Sequence, residues 1–276
     1  MTTATNHLTT YTQDPNEQQR KAWESLTFSH CLSFAVRLQE ELRERIVLEN
    51  QVDFDTTTLD DLNYIGGVDL SFPGDDNEHA VACLVVMKYP SLEVVYTDFL
   101  ETRLYLPYIA GFLAFREVES LQQLLAKLKT DQPALYPQIL LVDGNGRLHP
   151  RTCGIACHLG VVADLPTIGI GKNFLVIDDG PNLQMHRVKT EAKRQLMKRG
   201  DVLSLQGGSG IIYGAAVRTT DSAPNPIFIS QGHRISLETA IQITLSCCRF
   251  RIPEPIRRAD QDSRAYIQAA RKSLVL

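Results

Sequence analysis

Three short strand-like runs, Tyr64–Phe72, Ala80–Lys88 and Glu93–Leu100, follow one another in the first half of the chain. Pro73-Gly74-Asp75-Asp76-Asn77 and Tyr89-Pro90-Ser91 separate them as turns, so the pattern predicts antiparallel hairpins. From Gly111 to Lys129 the apolar period lengthens to that of a helix. Ile139–Asp143 is an unbroken apolar run that ends on a carboxylate, the signature of a strand buried on both faces. A helix around Gly154–Ala163 and a strand over Thr167–Ile170 come next. After a polar, charged stretch, Asp178–Asp201, the segments Gly210–Arg218 and Pro226–Ser230 read as two more strands. Ser236 caps a predicted helix over Leu237–Cys248, with Glu238 in its first turn. Pro253 and Pro255 break the chain before a last helix, Pro255–Lys272. Upstream, Pro15–Leu48 has helical spacing with Trp23, Leu32, Phe34, Val36, Leu38, Leu42 and Ile46 inward, and the acidic Asp53–Asp61 stretch is a loop. A meander followed by alternating helix and strand specifies an α/β fold built on a mixed sheet flanked by helices.

No repeat or linker divides the 276 residues, so residues 17–276 are expected to form a single domain behind a Thr/Asn/Gln-rich tail, 1–16, that is disordered. An apolar fraction of 43% supports a sizeable core. A formal net charge of −4 argues against attachment to nucleic acid by bulk charge alone. The stretch from Arg249 to Leu276 nevertheless carries +4 and the remainder −8. That stretch is either a basic face for phosphate or simply a solvated helix surface. Six cysteines form no regular framework, and no secretory leader or membrane-spanning run is evident. Free thiols in an intracellular compartment, cytoplasm or nucleus, are expected. Cys153 and Cys157 lack a second ligand pair for zinc and read as small buried hydrophobes.

Three carboxylates break the pattern. Asp69 sits mid-strand opposite Val68, Leu70 and Phe72. Glu117 lies inside the helical stripe of Leu113, Leu121 and Leu124. Asp143 ends the buried run. An unpaired buried carboxylate costs several kcal/mol or more, so three of them suggest a shared cation. Magnesium accepts carboxylates from separate elements, and a pair of such ions suits phosphodiester hydrolysis. Asp260, just after Arg257-Arg258, is a candidate fourth ligand. Each acid taken singly also fits a cap, a salt bridge or a turn. Gly144-Asn-Gly146 permits close approach of backbone to a base or phosphate, or is only a turn. Gly169-Ile-Gly-Lys172 is no P-loop, because Asn173 stands where Ser or Thr is required. Lys172 could neutralise charge on a phosphate, or be a surface lysine. His149 and His233 read more readily as structural than catalytic. A zinc deaminase is disfavoured, since no His-x-Glu with a downstream Pro-Cys-x-x-Cys is present.

The segments Gly67-Val-Asp-Leu-Ser-Phe72, Pro107-Tyr-Ile109, Phe115-Arg-Glu117, Val142-Asp-Gly-Asn-Gly-Arg-Leu-His149, Cys157-His-Leu-Gly160 and Arg251-Ile-Pro-Glu-Pro255 together resemble endonuclease V, from about Trp23 to Arg264. The resemblance implies a ribonuclease H-like fold and cleavage of the second phosphodiester 3′ to inosine or deoxyinosine with Mg2+ or Mn2+. It implies metal-binding roles for Asp69, Glu117, Asp143 and Asp260, and a catalytic role for Lys172. Pro107, Tyr108 and Ile109 match the family's strand-opening wedge. Gly111, Leu113, Gly144, Gly146 and His149 fall in or beside its base pocket, and Arg116 matches as well. The bacterial wedge ends in proline, whereas this chain has Ala110; a softer wedge suits single-stranded or unpaired substrates, because unstacking a base costs a few kcal/mol.

The wording of Arg249–Pro255 and Val81–Val86 is most similar to the animal branch. The expected partner is therefore inosine-containing single-stranded RNA, with deoxyinosine in DNA possible. The protein is expected to act as a monomer that leaves a 3′-hydroxyl and a 5′-phosphate. Hypoxanthine offers O6 as an acceptor, unlike adenine, and lacks guanine's 2-amino group. Backbone N–H groups near Gly144 and Gly146 are the expected reward for O6, with a tight wall against the amino group. The competing readings are a deoxyinosine DNA-repair enzyme, a non-catalytic inosine-RNA reader on the same fold, and a general structure-selective nuclease.

Overall fold

The computed structural model describes residues 28–273 except 75, 77, 107 and 108. The predicted tail, Trp23, the first half of the N-terminal helix, Pro107 and Tyr108 lie outside the described residues. One eight-stranded sheet runs in the order β3-β2-β1-β4-β5-β8-β7-β6. Its strands are β1 Tyr64–Ser71, β2 His79–Lys88, β3 Glu93–Arg103, β4 Ile139–Asp143, β5 Thr167–Gly171, β6 Val202–Gln206, β7 Ile212–Val217 and β8 Ile227–His233. β1, β4 and β5 are parallel neighbours, and the other pairings are antiparallel. The mixed, ribonuclease H-like α/β architecture is thus as the sequence predicts.

Among the described residues six helices flank the sheet: α1 Phe28–Arg43, α2 Leu113–Asp131, α3 Ile155–Ala163, α4 Met185–Gln195, α5 Leu237–Ser246 and α6 Glu254–Ser273. Ile65, Cys83, Val85, Ile139 and Leu141 on one face meet Ala240, Ile243, Ile256 and Ala259 of α5 and α6. Val68, Leu84, Val86, Leu140 and Val142 on the other meet Val118, Leu121, Leu125, Ile155 and Leu159 of α2 and α3. Two covered faces explain why β2 and β4 are apolar without alternation. The Ser236 hydroxyl accepts the Thr239 N–H, which fixes the start of α5. A Cβ at Gly67 would overlap the Pro255 backbone, so glycine is what lets α6 begin directly against β1.

The structure departs from the sequence reading in three places. The N-terminal helix ends at Arg43, and Phe34 is 54% exposed while Gln39 is buried. The inward face carries Ala35, Gln39 and Leu42 because Gln39 finds buried hydrogen-bond partners, whereas Val36, Leu38 and Ile46 are half-buried. The polar 178–201 stretch contains α4, which buries only Val188 and Ala192 of its own residues. It covers a small separate core with Phe174, Ile177, Leu183 and Leu205. β6 went unread because it is an edge strand in which Leu205 alone is buried, leaving too thin an apolar signal.

Candidate active site

Strand register brings the carboxylates together. Val68 pairs with Val142 and Val142 with Gly169, so Asp69 and Asp143 end up level on neighbouring parallel strands, about 4.8 Å apart in backbone spacing. Lys172 lies two residues beyond Ile170, the partner of Asp143, and its Nζ donates to Asp143 Oδ2 at 2.6 Å. Glu117 reaches in from the first turns of α2. Asp69, Glu117, Asp143 and Lys172 line one cavity of about 920 Å³, with Arg116, Leu113 and Gly144 also in its wall. The crevice at the carboxyl ends of parallel strands is where open α/β sheets bind ligands. Asp260 on α6 is not in the lining; it is half-buried and paired with Arg264 at 2.9 Å, but its charge still acts on Asp69 and Lys172.

The electrostatics of this cluster are strained. Asp69 is buried and its Oδ2 has no hydrogen-bond partner. Desolvation, then the charge of Asp143, holds its carboxyl far above the usual range, with Lys172 opposing. Desolvation likewise pushes Glu117 up to about 8, against the pull of Arg116. For Lys172 burial favours the neutral amine, but Asp143 and Asp69 outweigh it and the ammonium is strengthened. Only Asp143 of the three central acids is ion-paired with a lysine or arginine among the described residues. A hard divalent cation fits this arrangement, since it would give Asp69 the partner it lacks and relieve the repulsion between carboxylates. Among the described residues no three Asp, Glu, His or Cys side chains stand as a ready-made ligand set. Asp143 instead pairs with Lys172 and Asp260 with Arg264.

A second cavity of about 100 Å³ adjoins the first, sharing Leu113 and Asn145 with it. Ala110, Gly111, Leu113 and His149, all singled out from the sequence, lie in its wall. His149 Nδ1 accepts the Arg151 N–H at 3.2 Å, which leaves the proton on Nε2, and that N–H donates to Gly111 O at 3.0 Å. Burial lowers the His149 pKa to about 4, so the ring is neutral at pH 7. Ile109 is half-buried. Gly144 adopts φ +141°, and a Cβ there would strike Ile155. The N–H groups of Gly144 and Gly146 themselves are engaged, by Ile170 O at 3.0 Å and Ser230 Oγ at 2.9 Å. These two bonds tie the loop after β4 to β5 and β8. Arg116 is buried, donates to Leu106 O at 2.8 Å and lies over Phe72, bracing the connection between β3 and α2.

Sequence reasoning passed over Asn145, Gln39 and Arg151. Asn145 was visible inside Asp-Gly-Asn-Gly, and its buried Oδ1 has no partner between the two cavities. Gln39 gave one signal, a polar residue at the helical spacing of Ala35 and Leu42. Within α6, Arg257, Arg258 and Arg264 pair with Glu254, Asp262 and Asp260, so the net +4 of the C-terminal stretch rests on Arg249, Arg251, Arg271 and Lys272. Arg251 donates to the carbonyls of Lys172 and Pro226. Cys83, Cys153, Cys157, Cys247 and Cys248 are free and buried, and desolvation raises each thiol pKa. No described helix is long and apolar enough to cross a membrane.

Comparison with known proteins matches residues 6–261 to the family model described as Endonuclease V. Endonuclease V of Homo sapiens is 50% identical over 215 residues, covering 78% of this chain and 74% of that protein. The Mus musculus protein of the same name is 50% identical over 75% of this chain, a match spanning 60% of its length. The crystal structure of the catalytic domain of human endonuclease V superposes with TM-score 0.82 at 45% identity, covering 90% of this chain and 98% of that one. Ciona intestinalis endonuclease V, solved with DNA containing an inosine followed by a ribo-adenosine, gives TM-score 0.82 at 38% identity over 89% of this chain and all of that one.

Proposed function

The chain belongs to the endonuclease V family, and on that premise we propose that it is a metal-dependent endonuclease that cuts the second phosphodiester 3′ to inosine, preferentially in single-stranded RNA. The observation that carries this reading is the convergence of Asp69, Glu117, Asp143 and Lys172 on one cavity, with an orphaned carboxylate oxygen on Asp69. Asp69, Glu117 and Asp143, with Asp260 behind them, would hold Mg2+ or Mn2+. When bound, the metal supplies activation of water and stabilisation of the leaving oxygen.

The side chains define the rest of the chemistry. Lys172 stays protonated and sits where negative charge develops on the phosphate, which it stabilises without reorganisation. The small cavity beside Leu113 takes the extruded base, and its burial excludes water from that base. Neutral His149 keeps the pocket wall in place instead of shuttling protons. Ala110 in the cavity wall and Ile109 beside it separate the base from its neighbour, and a wedge without proline favours strands already unpaired. The preference for RNA is supported by the 50% identity to mammalian relatives and by the ribo-adenosine following inosine in the Ciona complex.

Matched inosine, adenosine and guanosine oligomers, as RNA and DNA, incubated with Mg2+ and mapped to the nucleotide, test the proposal. Cleavage one nucleotide beyond the inosine linkage, faster in RNA, is expected. Equal cutting of all three bases would overturn the base-pocket assignment. Asp69→Asn should lose at least about a thousandfold in turnover while still binding RNA; unaffected turnover would remove the carboxylate cluster from the reaction.

A further inference from the structure

One backbone carbonyl in the small cavity receives three side-chain donors, one from α1 and two from the loop after β4. Gly111 O accepts Gln39 Nε2 at 3.0 Å, His149 Nε2 at 3.0 Å and Arg151 Nη2 at 2.6 Å. A carbonyl has two lone pairs, so this oxygen is held by more donors than it needs. The donors also restrain one another. Arg151 Nε donates to Gln39 Oε1 at 2.5 Å, and Gln39 Nε2 donates as well to Cys153 O at 3.1 Å. The Arg151 guanidinium stacks over Phe112, 4.1 Å from its ring centre. Gly111 itself has φ +82°, a backbone conformation that glycine adopts without steric cost.

The placement of this carbonyl matters. Gly111 ends the connection from β3 to α2 that contains the residues read as a wedge, 107–110, and it lines the base cavity. The other root of the same connection is fixed by Arg116, through Leu106 O. Gln39 belongs to α1, which otherwise touches the site nowhere among the cavity-lining residues. A buried carboxamide on a helix face is costly unless satisfied, and here its hydrogen bonds run to the Gly111 carbonyl and to Arg151 and Cys153 in the loop after β4.

We infer that Gln39 and Arg151 are positioning residues: as a clamp on the Gly111 carbonyl they hold Ile109–Gly111 against the base pocket, and so fix both base discrimination and the choice of phosphodiester. The inference rests on the proposed inosine pocket for its consequence, but the clamp itself does not depend on the substrate. Holding a reacting group within a fraction of an ångström is worth one to two orders of magnitude in rate.

The full-length protein with Gln39→Ala, Gln39→Glu or Arg151→Lys decides the matter. Gln39→Glu keeps a partner for Arg151 but removes both Nε2 donations. Arg151→Lys keeps the charge but loses the fork. Amide exchange over residues 109–113 should accelerate at least about tenfold in all three. Inosine-over-guanosine selectivity should fall by roughly tenfold or more, through KM and through cuts at neighbouring phosphodiesters, with kcat on inosine changed less. Unchanged exchange would refute the clamp. Faster exchange with selectivity and cut position intact would leave Gln39 and Arg151 merely structural and refute the positioning role. If the unaltered protein shows no inosine preference, the proposed function falls, while the exchange data still judge the clamp.

Discussion

Replacing Glu117 by glutamine should abolish activity yet stabilise the metal-free fold. The Glu117 carboxyl is 8% exposed and its pKa is pushed up to about 8 from 4.5, chiefly by desolvation. A raised folded-state pKa means the folded protein holds this proton more tightly than the unfolded chain does. The associated stability is complete below pH 4.5 and is lost as pH rises through 8. Taking 1.36 kcal/mol per pKa unit, the folded state gives up at most about 4 kcal/mol by pH 8, and water entry and relaxation bring this to about 2 kcal/mol. Glutamine is isosteric and never ionises. Urea unfolding in EDTA, followed for both proteins between pH 5 and 8, should show near-equal stability at the acid end and a Glu117→Gln advantage of about 2 kcal/mol at the alkaline end. The buried histidines His149, His158 and His233, whose pKa values burial lowers to about 4, tilt both curves equally and cancel in the difference. Saturating Mg2+ should raise wild type and not the variant. A difference that stays flat with pH, or a variant less stable at pH 8, would refute the claim that Glu117 is held at an electrostatic cost for the sake of a cation.

Gly67→Ala forces a methyl into the Pro255 backbone, so α6 must shift off β1; a loss of about 2–4 kcal/mol in thermal or urea unfolding is expected, and a neutral result would deny the direct contact. Lys172→Ala removes the cation beside Asp143. Single-turnover cleavage should slow by about 10²–10³ with RNA affinity little changed, whereas a rate within a few-fold of wild type would place the lysine outside the chemistry.

The antiparallel meander, the buried β4 run, the cap at Ser236 and the terminal helix were legible because each is a local matter of period, turn chemistry and capping. β6 and α4 were not, since an edge strand and a half-covered helix bury too little to imprint a pattern. The odd positions of Asp69, Glu117 and Asp143 could be read for a similar reason, as carboxylates where side-chain periodicity demands apolar atoms. Their mutual distance could not. It follows from the parallel register of β1, β4 and β5, a pairing between segments some seventy residues apart that no local signal encodes. The same holds for the Gly111 carbonyl. Nothing in the neighbourhood of Gln39 or Arg151 announces a shared acceptor, because hydrogen bonds across 72 and 40 residues of chain exist only once the packing of α1 on α3 has closed the loop. Sequence determined which groups are out of place in a core; tertiary structure alone decided which of them meet.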